Sequence, residues 1–304
     1  MPIGADQGRG KEHAVRLGVN VPNFGPATTV DVMERWAHVA EGLGFDLLMM
    51  SDHVLITPDV SVRYPGPFQD PFTTLAWLAG RTSGRIQLGV TVLIMPYRPP
   101  ALTAQMAASL HRLTGGGFVL GVAVGWAKQE FEALGVRYER RGRLTDEYLD
   151  EMRQIWGGGV EGVAAALTPE ELPGPPVWIG GNSDAALRRA VVAGEAWHPL
   201  GFTMDWLTEA VGRLAAFAEE AGRATPALVP RIKLRLTEKA DTDPERQAGI
   251  GSLEQVLDDL ARLAALGSET VVLDPYHGDP AELERPEVAW RELAVVTEAW
   301  AAQG

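Results

Sequence analysis

The chain contains no cysteine. That excludes a disulfide, a thiolate nucleophile, an iron–sulfur cluster and a thiolate zinc site, and it fits a reducing cytoplasm. Positive charge is scarce as well: 27 Lys and Arg stand against 40 Asp and Glu, a formal net charge of -13. Such a surface does not suit nucleic acid or an anionic membrane, both of which call for clustered cations. Long apolar runs are missing too. No stretch approaches the roughly 20 residues of a membrane span, and residues 1–14 are polar and Gly-rich, so they read as a disordered leader. The expectation is a cytoplasmic protein in which any anionic ligand is held by local groups.

What is present is an alternation of strand and helix patterns from end to end. Phe45 to Met50 is mostly apolar without polar alternation, as in a strand buried on both faces of a parallel sheet. Val30 to Leu43 carries Val32, Met33, Trp36, Val39, Ala40 and Leu43 at helical spacing. Counting in the same way, strands are expected near 16–21, 45–50, 86–92, 118–122, 176–179, 195–198, 228–236 and 269–274. Helices are expected near 30–43, 71–81, 101–113, 144–156, 183–193, 204–221, 253–266 and 286–300. Eight β-α units without a composition break or linker predict an α/β fold, a single (β/α)8 TIM barrel over residues 15–304.

In such a barrel the carboxyl ends of the strands collect the chemistry. Ser51, Asp52 and His53 follow the second strand at once, and an Asp-His pair there could hold an imidazole tautomer and offer a proton donor. Alternatively Asp52 caps the next turn and His53 packs on the loop. Gly180, Gly181, Asn182 and Ser183 run from a strand into a helix, where exposed N–H groups favour an anion such as phosphate; a tight turn needing glycine explains them equally. Gly125 would let a planar ligand approach, with Trp126 beside it. Phe24, Tyr64, Trp197 and Tyr276 would shape a substrate pocket. The mouth is aromatic and amide-rich. Only Asp52 and Asp274 could serve as facing carboxylates, and His53, His198 and His277 are scattered one per loop, so neither a glycosidase nor a metal site is suggested.

Taken together, Ser51-Asp52-His53, Asp70 to Ala76, Leu88 to Leu93, Pro96-Tyr97-Arg98, Leu120 to Trp126, Glu130 to Gly135, Arg140 to Arg143 with Asp146-Glu147, and Pro176 to Ser183 resemble the luciferase-like monooxygenase superfamily. More narrowly they resemble its coenzyme F420-dependent oxidoreductases. The likeness covers roughly residues 15–199. It implies a bacterial-luciferase-like barrel whose top holds a flavin or 5-deazaflavin. His53 would lie near the reactive centre with Asp52 as its neighbour, and Glu130 would be a weaker catalytic candidate, with a solvated helix residue as the bland alternative. Thr91 and Val92 would form a non-proline cis peptide whose bulge supports the ring, and Gly180 to Ser183 would hold the phosphate. The expected function is F420-dependent hydride transfer to or from a small or medium organic substrate. The alternatives are an FMN-dependent monooxygenase with a partner flavin reductase, or a barrel that has lost flavin chemistry and serves as a binding subunit or cofactor-free enzyme. A homodimer or higher homo-oligomer is expected through Phe72, Trp77 and Leu78. Two features depart from the family pattern. The stretch between Trp156 and Pro176 lacks the usual hairpin, and the mouth shows no basic cluster for the cofactor's acidic tail, Arg63, Arg98 and Lys128 being the nearest cations.

Overall fold

A computed structural model describes residues 15–158 and 174–303. The expected leader and most of the shortened stretch between Trp156 and Pro176 lie outside the described residues. Along the chain come β1 (Arg16–Asn20), α1 (Val30–Gly42), β2 (Leu47–Met50), α2 (Pro58–Ser61), α3 (Pro71–Ala79), β3 (Gln87–Ile94) and α4 (Pro100–Leu113). They are followed by β4 (Phe118–Ala123), α5 (Lys128–Ala133), α6 (Arg141–Trp156), β5 (Val177–Gly180), α7 (Asp184–Ala193), β6 (Ala196–His198) and α8 (Met204–Glu220). The last third holds β7 (Ala227–Leu228), β8 (Arg231–Lys233), β9 (Arg235–Leu236), β10 (Ile250–Gly251), α9 (Leu253–Ala265), β11 (Thr270–Asp274) and α10 (Pro286–Ala301).

Helix starts follow local chemistry. Thr29, Asp70, Ser183, Thr203 and Ser252 each accept a backbone N–H of the first turn, and Gln255 returns a bond to complete a capping box at α9. Such caps satisfy donors that the helix itself leaves free.

The main sheet curls through nine parallel strands in the order β7-β6-β5-β4-β3-β2-β1-β11-β8. Its two outer strands are consecutive in the chain, with only Val229 and Pro230 between them. Pro230 has no N–H for a ladder, which accounts for the break in the predicted seventh strand. The junction still bonds on both sides: Val229 N–H donates to Trp197 O at 2.9 Å, and Pro230 O accepts from Val272 N at 2.9 Å. Beyond it, β9 leaves the main sheet to pair with β10.

Side chains alternate across this sheet as period two requires. Leu48 and Met50 join the large apolar cluster shared with the helices, whereas Leu47 and Met49 pack with Ala196, Val229 and Val272 on the inner face. On α3 the expected partner surface shrinks. Phe72 and Leu78 are buried in the core, and only Trp77 of the three is partly exposed, with Arg81 5.5 Å from its ring centre. Among the described residues no helix is long and apolar enough to cross a membrane.

Candidate active site

The end of β2 sends its polar side chains in different directions. Asp52 turns away from His53 and takes Arg98 in a bidentate pair, Nη1 to Oδ2 and Nη2 to Oδ1, both at 2.8 Å; Ile94 N–H adds a bond at 3.0 Å. Arg98 also reaches Asp70 at 2.9 Å. The expected Asp52–His53 pairing is therefore replaced, and Arg98 is spent inside the protein rather than free for an anionic tail. A buried carboxylate needs such a partner, because an unpaired charge is far more costly.

His53 pairs instead with Glu130, a residue 77 positions away. Its Nδ1 lies 2.6 Å from Oε2, which accepts from Tyr97 OH at 2.9 Å. The other oxygen accepts Val54 N–H at 2.6 Å and Leu55 N–H at 2.9 Å. Glu130 is fully buried, not the solvated helix residue of the bland alternative. Burial pushes its carboxyl up. The bonds from His53 and the N–H groups of Leu55 and Val54 outweigh that and hold it below its ordinary value. With an ionised acceptor at Oε2, Nδ1 must carry a proton. Nε2 makes no hydrogen bond within the described residues. Around the imidazole stand Tyr64, Phe68 and Trp126, with ring centres at 5.3, 5.5 and 5.7 Å. One nitrogen fixed by a carboxylate and the other free in an aromatic setting is the arrangement of an acid-base group.

The aromatic wall is continuous. Phe24 meets Tyr276, Tyr64 and Phe68 at 4.9, 5.0 and 5.2 Å. Phe24 and Tyr276 are buried, while Trp126 is 41% exposed at the rim with Arg63 over its ring at 5.3 Å. Trp197 does not belong to this pocket. It is fully buried and donates from Nε1 to Gly181 O at 2.8 Å, so it braces the β5 corner. Lys128 faces outward near Glu132, 3.8 Å away.

Across the mouth, the Thr91–Val92 bond is cis and the β3–β4 register shifts between Val90 and Leu93, as the resemblance implied. Arg231 Nη1 donates to Thr91 O at 2.6 Å. Thr91 Oγ1 lies 2.8 Å from His198 Nε2, while His198 Nδ1 reaches Val229 O at 2.5 Å. A carbonyl only accepts, so Nδ1 carries the proton and Nε2 accepts from the threonine hydroxyl. Complete burial lowers His198 to about 4.

Arg231 and Lys233 were not singled out in the sequence. Both donate to Asp274 Oδ2, Arg231 at 2.7 Å and Lys233 at 2.6 Å, and Lys233 also bonds Tyr276 O. Asn20 and Tyr276 N–H fill Oδ1 of Asp274 at 3.2 Å each. The signal was available: Arg231, Lys233 and Arg235 alternate with Ile232, Leu234 and Leu236, a period-two pattern that gathers cations on one side of a strand.

At the β5 corner the small residues serve packing. A Cβ at Gly180 would lie 2.9 Å from Val92, and one at Gly125, where φ is +79°, would lie 2.5 Å from Ile94 and 2.9 Å from Phe131. A side chain at either position would press into the protein itself, so both positions call for glycine. Asn182 Nδ2 bonds Leu200 O at 2.7 Å, and Ser183 Oγ caps α7. The N–H groups of Gly181, Asn182 and Ser183 meet no acceptor among the described residues. A cavity of about 520 Å³ opens beside Asn182, Thr203, Trp206, Glu245 and Gln247, and among the described residues no Lys or Arg lines it. The described residues contain no group of three His, Asp or Glu suited to a metal ion.

A sequence model of the family described as luciferase-like monooxygenase matches residues 15–241. A Mycobacterium bovis protein of uncharacterized function is 30% identical over 236 residues, covering 68% of this chain and 81% of its own. Among solved structures, the coenzyme F420-dependent tetrahydromethanopterin reductase of Methanopyrus kandleri aligns with a TM-score of 0.70 at 16% identity, covering 93% of this chain and 97% of its own. The oxygenating constituent of 3,6-diketocamphane monooxygenase from Pseudomonas putida, in complex with FMN, aligns with a TM-score of 0.73 at 17% identity, covering 94% and 97%.

Proposed function

Because the chain belongs to the luciferase-like monooxygenase family, we propose that it is an oxidoreductase using a flavin-type ring, with coenzyme F420 as the first reading. The reading takes β7 and β8 as halves of one strand that close the sheet into an eight-stranded barrel. The residues present fit such a group in two places. The Thr91–Val92 bulge would underlie the ring, and the free N–H groups of Gly181, Asn182 and Ser183 at the start of α7 would receive a phosphate. Bound there, the deazaflavin supplies a carbon centre that gives or takes a hydride.

The observation that carries the reading is the His53–Glu130 pair. Hydride transfer to a carbonyl carbon calls for a proton on the oxygen, and the reverse calls for its removal. His53 can do either through Nε2, while Glu130 holds Nδ1–H and offsets the charge. Tyr64, Phe68 and Trp126 exclude water around it. A small or medium ketone, or the matching alcohol, is the substrate class this arrangement serves.

One observation favours the second reading, an FMN-dependent monooxygenase. The cavity beside Asn182 carries Glu245 and no cation, which suits a single phosphate better than a multiply acidic tail. Titration of the purified protein with F420 and with FMN, by calorimetry, separates the two. Saturable F420 binding supports the first reading and binding of FMN alone supports the second. On the bound cofactor, His53→Ala should lower ketone or alcohol turnover about 10²- to 10⁴-fold with little change in melting temperature. Equal losses of stability and turnover would make His53 structural.

A further inference from the structure

The end of β11 holds more positive charge than its own carboxylate can offset. Asp274 is fully buried and saturated: Arg231 donates to Oδ2 from Nε at 3.0 Å and from Nη2 at 2.7 Å, and Asn20 and the Tyr276 N–H occupy Oδ1. Arg231 alone would neutralise it. Lys233 is therefore a surplus cation, held at 2.6 Å from the same oxygen, with about a fifth of its side chain exposed. Burial lowers the ammonium's affinity for its proton, and Asp274 only partly restores it.

Among the described residues no other carboxylate pairs directly with Lys233, and Glu282 acts on it only through space. Glu130 is held by His53, Asp52 by Arg98, and Glu282 by Arg235 at 2.9 Å. His198 adds no charge, since its Nε2 accepts from Thr91. A surplus charge kept out of water is costly unless something else compensates it. Its position shows what could. Arg231 bonds the carbonyl of the cis Thr91–Val92 peptide, and Lys233 lies 6.0 Å from the centre of the Tyr276 ring in the aromatic wall.

We infer that Arg231 and Lys233, sharing the one carboxylate of Asp274, form a cationic floor against the Thr91–Val92 bulge that favours the more negative, reduced state of a ring bound there. This rests on the cofactor reading above. Uptake of a hydride brings two electrons and one proton, so a ring system gains one unit of negative charge. A fixed positive charge beside the ring would then stabilise the product over the reactant. Arg231 positions the bulge through Thr91, and Lys233 supplies the charge.

The test is the two-electron potential of bound FMN or F420, measured by dithionite titration against a reference dye, in the wild type, Lys233→Gln and Lys233→Arg. Lys233→Gln should cut the preference for the reduced form about tenfold, a fall of about 30 mV for a two-electron couple. Lys233→Arg keeps the charge and should hold the wild-type potential. Cofactor bound at an unchanged potential in Lys233→Gln overturns the inference and leaves the cofactor reading intact. An equal fall in both variants also overturns it, because packing rather than charge would then be responsible. Failure of the wild type to bind either cofactor overturns both.

Discussion

At the end of β2 the polar side chains reach across the fold, whereas at the end of β5 they stay close to home. Ser51 lies near Thr91 O at 3.4 Å, Asp52 takes Arg98, and His53 takes Glu130, each partner 40 or more positions away. Ser183 caps its own helix three residues on, and Asn182 clasps Leu200, 18 residues on. The two corners look alike as sequence, a buried strand running into small and polar residues. The difference lies in charge. An ionised side chain at the carboxyl edge of the sheet must find a counter-charge or several donors wherever the fold provides them. A hydroxyl or amide needs only one free N–H or C=O, and at the end of β5 that partner lies close by in the chain.

The sharpest way to break this comparison is Glu130→Ala. It strips partners from His53, Tyr97 and the N–H groups of Val54 and Leu55 at once. A loss of about 3–5 kcal/mol in denaturant stability is expected, with Glu130→Gln recovering part of it through the two backbone bonds. A loss under about 1 kcal/mol would mean that the pair is not held as described.

Next in size is a pH effect through His198. Folded, it stays neutral down to about 4; unfolded, it takes a proton near its ordinary value of 6.5. The unfolded chain therefore binds more protons between these values. The contribution is full above 6.5 and is lost as pH falls toward 4, about 3 kcal/mol in all. Denaturant melts across that range should show the slope, and His198→Asn should flatten it.

The smallest effect belongs to the local corner. Ser183→Ala removes one cap from α7 and should cost about 1 kcal/mol, read as a shift in melting temperature. A cost matching that of Glu130→Ala would erase the contrast between the two corners.

Much of the architecture was legible in the chain because it rests on short-range rules. Buried runs such as Leu47–Met50, and helical stripes such as Met33, Trp36 and Ala40 on α1, repeat at spacings that one segment displays by itself. The break at Pro230 is also local chemistry, although the strand pattern on either side of it reads as one run over 228–236. The site was legible only as a set of residue types. His53, Glu130 and Thr91 could be named, but the pairing could not: Asp52 stands next to His53 in sequence and points elsewhere in the fold.

By itself, then, the sequence determined which segments are strands and helices, where the helices are capped, and which edge gathers the polar residues, since these follow from backbone geometry and from neighbours within a few positions. Tertiary structure decided which charge meets which. It gave Glu130 to His53, Arg98 to Asp52 and both Arg231 and Lys233 to Asp274, because along the edge of a curled parallel sheet the ends of distant strands converge where water is excluded and an ion must be matched by whatever stands opposite.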